Sequence, residues 1–478
     1  MAAANQIGVS STTHPMANMA VIAVVMIATP LLLNVGSLTM SPVRLMLLLV
    51  TVPLLVQLFA GKYGRFTVID GLMLAYAFWQ LVAVGVNNPD RLVQFGGSNV
   101  LDFLGGYLIG RAAVRTPRDF RRLTWALFII CLFLLPFAFI EARTGRAMLP
   151  YILSRVGLPV ITDFVTDKRL GMYRSQVVFY HQIHYGLFCS MMLSLVVMGL
   201  RDQLSVLKRV LGACAIVCGT IFSVSSGAVL PLFLQFILIA WAVTMAGVSR
   251  RWLIFTILMA VLYAIAEVLS DRSAVVAILS KVTFNSHNVY MRTFIFDWGM
   301  VNVWANPIFG LGLRDWVRAS WMSHLGSVDN FWLLQAMRYG IPAFLFLAVG
   351  TFLAMFQVGR RRFTSGSELS NCQLAWMLTM LSLVLTLCTV HVWGPVHTLF
   401  MMMISSGLWM LTAEETDEDT QTEPEAASSG HVYSRFPAKP ASGGATPIAS
   451  LKGDRGPARP ASYTRRDLQT PYNASGQT

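Results

Sequence analysis

Two arginines and a short polar pair are the residues best placed for chemistry. Arg174 and Arg292 each stand close to a long apolar run, and Asp329-Asn330 opens the run that begins at Phe331. A guanidinium stays charged and grips phosphate oxygens two at a time, so both arginines suit the stabilisation of a phosphate leaving group. Asp329, or His324 just ahead of it, could take the proton from a hydroxyl nucleophile in a transition state. Each position also has a plainer use. Asp329 could cap a helix, Arg292 could anchor to lipid headgroups, and His181, next to His184 and Tyr185, could be a structural part of a helix entrance. His391 and His397 flank the turn Trp393-Gly394-Pro395 and read as packed histidines. No acidic cluster suited to Mg²⁺ accompanies these residues, so neither a metal nor another cofactor is expected.

The elements that must position them are membrane helices. Of 478 residues, 55% are hydrophobic and only 12% charged, against roughly 25% charged in a soluble domain. Apolar runs of the length needed to cross a hydrocarbon core recur along most of the chain. They fall near 17–33, 43–60, 67–84, 100–113, 121–140, 183–200, 210–223, 227–248, 252–269, 331–358, 373–391 and 396–412. The fourth is diluted by Asp102, Gly105, Gly106 and Gly110. The expected fold is therefore all-α: a polytopic membrane protein of about 12 transmembrane helices.

Charge then orients the helices. The net charge of +13 comes from clusters between apolar runs rather than from one polar face, which argues against nucleic acid as a partner. Lys62 and Arg65, Arg111 to Arg122, Arg201 to Arg209, Arg250-Arg251, and Arg360-Arg361-Arg362 each follow an even-numbered run. Basic loops are cytoplasmic, so both termini are expected inside. The remaining long connections, 141–182 and 270–330, face outward; the second carries Trp298, Trp304, Trp316 and Trp321, which suggests interfacial helices. Residues 1–16 form a short cytoplasmic segment, 17–412 the transmembrane domain, and 413–478 an acidic, then Ser/Gly/Pro/Ala-rich tail that cannot bury a core. No Lys or Arg precedes the first apolar run, so no cleavable leader is expected. The six cysteines lie in or beside apolar runs without zinc spacing and read as packing residues.

The stretch RTFIFDWGMVNVWANPIFGLGLRDW followed by SVDNFWLLQAMRYGIPAFLFL resembles the signature of the O-antigen polymerase and ligase superfamily. Members show an Arg some fifteen residues before a P-x-x-G-x-G turn, then a His-Asn or Asp-Asn pair opening a helix that contains an acidic residue and Gly. Arg292, Pro307, Gly310, Gly312, Asn330 and Gly340 match; Asp329 stands where ligases usually carry His, and Arg338 where many members carry Glu. The segments YLIGRAAVRTPRDFRRL and IEARTGRAM resemble loops of exopolysaccharide polymerase-like members. YRSQVVFYHQIHYGLF, with Arg174, His181 and Gly186, resembles their Arg-x(6)-His-x(4)-Gly entry into a span, and FSVSSGAVL has Ser226 in place of a family Arg.

The resemblance implies a bacterial inner-membrane enzyme of the lipid-carrier glycosyltransferase (GT-C) type, joining glycans carried on undecaprenyl pyrophosphate by metal-independent inverting transfer at the periplasmic face. It implies Asp329, Arg292 and His324 as catalytic residues and Arg174, His181, Asn330 and Arg314 as substrate-binding ones. The implied partners are an undecaprenyl-pyrophosphate-linked oligosaccharide, membrane lipid, and other polysaccharide assembly and chain-length proteins. A ligase is the alternative within this class. A flippase or secondary transporter is the alternative outside it, since twelve spans suit both. Against transport stand the lack of an evident internal repeat and the scarcity of ionisable residues deep in spans, Glu267 being the clearest.

Overall fold

The computed structural model describes residues 16–35, 38–161, 167–269, 286–322 and 326–415. His324, most of the tail and part of the second long loop lie outside the described residues. Each of the twelve apolar runs is helical, but the runs are not equal. Among the described residues, eight helices are long and apolar enough to cross a membrane: Pro42–Phe59, Val68–Asn87, Pro117–Thr144, Gln182–Gly199, Ser226–Thr244, Phe331–Arg360, Glu368–Thr386 and Gly394–Leu411. The other four runs hold α1 (Ala17–Ile27, 11 residues), a run broken by π-helical stretches that ends in α4 (Gly106–Ala113), α8 (Val206–Phe222, 17 residues) and α10 (Arg251–Leu269, 19 residues).

Local signals set the helix starts. α2 (Pro42–Phe59) begins with Pro at its first position, after Ser41 accepts from the Arg44 N–H at 3.4 Å. α3 (Val68–Asn87) opens with a capping box: the Thr67 hydroxyl accepts from the Asp70 N–H at 3.2 Å, and the Thr67 N–H donates to Asp70 at 2.8 Å. Asp70 also accepts from the Tyr107 hydroxyl at 2.7 Å and from Arg111 Nε at 3.3 Å, tying α3 to α4. Arg111, read from sequence as part of a basic loop, is buried and donates to the Tyr63 carbonyl at 2.7 Å.

The diluted fourth run owes its glycines to packing. It contains two π-helical stretches, Leu92–Gly97 and Leu101–Gly105, before α4. A Cβ on Gly106 would lie 2.4 Å from the Thr398 carbonyl oxygen, so this helix meets α14 (Gly394–Ser405) backbone to backbone. Small residues allow that approach in membranes. Inside the same run Asp102 is buried and takes a forked pair from Arg44, Nε at 3.0 Å and Nη2 at 2.7 Å. Replacing Arg44 alone with Leu leaves a buried carboxylate uncompensated, at a cost of about 3 kcal/mol or more. The detergent-solubilised Arg44→Leu variant is expected to melt well below the parent, and Arg44→Leu with Asp102→Leu to recover most of the loss. Equal melting of the parent and Arg44→Leu would show that the pair does not hold these helices together.

The rest of the bundle is α5 (Pro117–Thr144), α6 (Met148–Arg155), α7 (Gln182–Ser190), α9 (Ser226–Thr244), α11 (Ser286–Ala305), α12 (Phe331–Arg360) and α13 (Glu368–Thr386). α12 packs along α3, α11 along α12, and α9 on α13 and α7. Two hairpins, β1 (Leu33–Val35) with β2 (Leu38–Met40) and β3 (Lys168–Arg169) with β4 (Met172–Tyr173), are antiparallel. α11 and the turn after it make their own apolar cluster, in which Ile295, Val303 and Trp316 meet Leu333 and Met337 of α12.

Candidate functional site

α12 is two helical segments. At Gly340 the backbone takes φ 85° and ψ 171°, and the Pro307–Gly312 turn fills the break. The Leu311 N–H donates to the Met337 carbonyl at 2.7 Å, the Gly312 N–H to Arg338 at 3.0 Å, and the Ile341 N–H to Pro307 at 2.8 Å. Trp79 Nε1 reaches the Tyr339 carbonyl at 3.0 Å, and Asn88 Oδ1 accepts from the Leu313 N–H at 2.8 Å. The turn is thereby fixed to both α3 and α12. That lodgement governs where Arg292, on the helix before the turn, stands relative to Asp329, on the segment after it.

Arg292, Asp329 and Asn330 line one end of a single cavity of about 1910 Å³. Its walls come from α9, α10, α11, α12 and α13, and its far end is at Gly359 and Arg360. Between the two ends the lining is almost wholly apolar, with Phe233, Trp252, Leu333, Phe344 and Phe352 among it. It follows the whole length of α12. The outer wall is α10, whose side chains are broadly exposed and which is tied at its start by Trp241 Nε1 to the Arg251 carbonyl, 3.0 Å. Burial pulls the Arg292 guanidinium below its usual pKa, and the Asp329 carboxylate pushes it back up.

The cap of α12 is Asn330, whose Oδ1 accepts from the Leu333 N–H at 3.0 Å. Asp329 is left out of that role; among the described residues its Oδ1 accepts a long contact from the Ser327 hydroxyl at 3.4 Å. The capping alternative for Asp329 thus belongs to its neighbour. Asn330, expected to touch substrate, has its oxygen committed to the helix, although it still faces the cavity.

Arg174 pairs with Asp167, Nη1 to Oδ2 at 3.0 Å. His181 caps α7, Nδ1 accepting from the Ile183 N–H at 3.2 Å, so its proton sits on Nε2. Burial first, then Arg174, lowers the His181 pKa, while Asp329 and Asp167 act in the opposite sense; the ring is neutral at neutral pH. His181 therefore stands within electrostatic reach of both Arg174 and Asp329. Arg314 goes elsewhere: Nη2 meets Asn87 Oδ1 at 3.2 Å and Nε the Leu311 carbonyl at 3.1 Å, and it does not line the cavity. Its role is to fasten the turn to α3.

Sequence reasoning missed Asp167 and Trp393. The Trp393 ring lies 5.8 Å from His181, 4.0 Å from His184 and 5.5 Å from His391, centroid to centroid. His391 stacks on Phe331 at 6.1 Å, and burial holds its pKa down to about 3, so it is packed and neutral. The proximity of His391 to the Trp393 turn was visible in the sequence; the pairing of Arg174 with Asp167 across a hairpin was not.

These features define a multi-pass helical membrane protein with a cavity that is charged at its two ends and apolar between them. No protein-family model matches the chain, and no curated protein matches it.

Proposed function

We propose that this chain is a polysaccharide polymerase of the bacterial inner membrane, with twelve spans, both termini cytoplasmic and a GT-C type of fold. It would transfer a glycan from undecaprenyl pyrophosphate onto a sugar hydroxyl at the periplasmic face. The observation that carries this reading is the placement of Arg292 and Asp329 together at one end of an apolar cavity as long as α12. A long isoprenoid chain suits such a lining, and a pyrophosphate at its end meets Arg292.

In the reaction the acceptor oxygen attacks the anomeric carbon from the face opposite the leaving group. The bond from that carbon to the phosphate oxygen breaks, and the lipid pyrophosphate departs with the electron pair, its charge stabilised by Arg292. Asp329 takes the hydroxyl proton. Arg174 and His181 do not line the cavity; His181, within electrostatic reach of Asp329, would stand beside the base. Asp329 in the position where ligases carry His favours a polymerase over a ligase, and a cavity with charge at its ends rather than at its middle gives a transporter less support.

Removing the protein tests the reading. Accumulation of single lipid-linked repeat units is expected. Long unattached chains would instead identify a ligase, and an unchanged lipid-linked pool would overturn the glycan-transfer reading. Orientation has its own test: cysteines placed at Asp167 and Thr364 are expected to label from opposite sides of the membrane, and labelling from one side would overturn the topology.

A further inference from the structure

At the other end of the bundle the chain beyond α14 is clasped to the loop between α12 and α13. The Glu415 carboxylate accepts from the Thr364 N–H at 2.6 Å, the Thr364 hydroxyl at 2.7 Å and the Ser367 hydroxyl at 3.1 Å. Arg361 Nη2 donates to the Ala413 carbonyl. Ser367 at the same time caps α13, its oxygen accepting from the Ser370 N–H at 3.2 Å. One carboxylate thus sits against two hydroxyls and an amide just ahead of a helix N-terminus, where negative charge is favoured. The Thr364 hydroxyl, the largest influence, holds the Glu415 pKa below the usual carboxylate range. Thr364 is exposed and follows Arg360-Arg361-Arg362-Phe363.

We propose that Thr364 is a phosphoacceptor, and that a phosphoryl group on its hydroxyl displaces the Glu415 carboxylate and releases the chain beyond α14 from this loop. A kinase would supply the chemistry from a nucleoside triphosphate. A bond forms between Thr364 Oγ1 and the γ-phosphorus, the bond from that phosphorus to the diphosphate oxygen breaks, and the hydroxyl proton passes to the kinase's base. Three consequences follow at the clasp. The hydroxyl no longer donates to Glu415. A group of charge about −1.5 to −2 now stands beside a carboxylate and repels it. The donors that remain, the Thr364 N–H and the Ser367 hydroxyl, together with Arg361 and the start of α13, suit the phosphate better than the carboxylate because it offers more oxygens and more charge. The three arginines ahead of Thr364 give the loop the basic approach that an acidic kinase cleft recognises.

The test uses the full chain in native membranes, with Ala413→Cys as reporter. Ala413 is half-buried against the bundle while the clasp holds. Labelling by a polar maleimide, read at that residue by mass spectrometry, is expected to rise about tenfold in Thr364→Glu, as a loss of about 1.4 kcal/mol would give. Thr364→Ser keeps the hydroxyl and should label like the parent, as should Ser365→Glu, which adds the same charge one residue away. Phosphate on Thr364 is expected in protein purified from its own cells. Equal labelling in the parent and Thr364→Glu, or an equal rise in Ser365→Glu, would overturn the displacement. Absence of phosphate at Thr364 in every growth phase would overturn the modification.

Discussion

Asp329→Asn is expected to lower polymer formation by about 10²–10⁴-fold, the usual contribution of a general base, while leaving the protein inserted at parental levels. The structure makes this a clean substitution. The cap of α12 is made by Asn330 to the Leu333 N–H, so the amide at position 329 removes a proton acceptor without removing a helix cap. Arg292 forms the second half of the expectation. Arg292→Ala should cost about 10²–10³-fold if the guanidinium stabilises charge developing on the leaving group. Arg292→Lys should recover less than tenfold of that, since an ammonium keeps the charge but loses the two-pronged grip. A headgroup anchor would accept lysine. The readout is lipid-linked and polymeric glycan at equal protein level, and near-parental polymer in both Asp329→Asn and Arg292→Lys would return the two residues to structural roles.

Much of the architecture was legible in the sequence because hydropathy alone carries it. All twelve apolar runs are helical, and the abrupt change of composition after Thr412 falls where α14 and its last turn end. Length was less legible. α1 is only 11 residues, and the fourth run is wound partly as π-helix, which no window of apolar residues registers. The site divided along the same line. Arg292 and Asp329 could be named in advance because both lie in one stretch, on either side of the Pro307–Gly312 turn, but the residues answering Arg174 and Arg314 could not. Asp167 meets Arg174 across the β3–β4 hairpin, and Asn87 meets Arg314 from a helix more than two hundred residues away. Adjacent polar residues also hide their division of labour: only the backbone geometry at the start of α12 shows that Asn330, not Asp329, caps it.

Gly340→Ala is expected to be the most disruptive single substitution in the region, although it adds one methyl group far in sequence from Arg292. Glycine is required there twice over. At φ 85° and ψ 171° the backbone occupies a region essentially restricted to glycine, so any side chain is strained by about 1–3 kcal/mol before it meets a neighbour. A Cβ would then stand 1.9 Å from the Ile308 carbonyl oxygen and 2.4 Å from its carbon, both backbone atoms that no rotamer change can move aside. Relief comes only by straightening α12 or by expelling the Pro307–Gly312 turn. Either would break the bonds from Leu311, Gly312 and Ile341 and the bond from Trp79 Nε1 to the Ile308 carbonyl that lodge the turn, and would carry Arg292 away from Asp329. The combined cost is expected to exceed about 3 kcal/mol, read as a large drop in melting temperature in detergent and loss of polymer. Gly326→Ala is the matched control, because a Cβ at that exposed position meets nothing within 4 Å. It should be neutral in both measurements. A Gly340→Ala protein that melts and polymerises like the Gly326→Ala control would show that the break in α12 is not what holds the arginine and the aspartate at one end of the cavity.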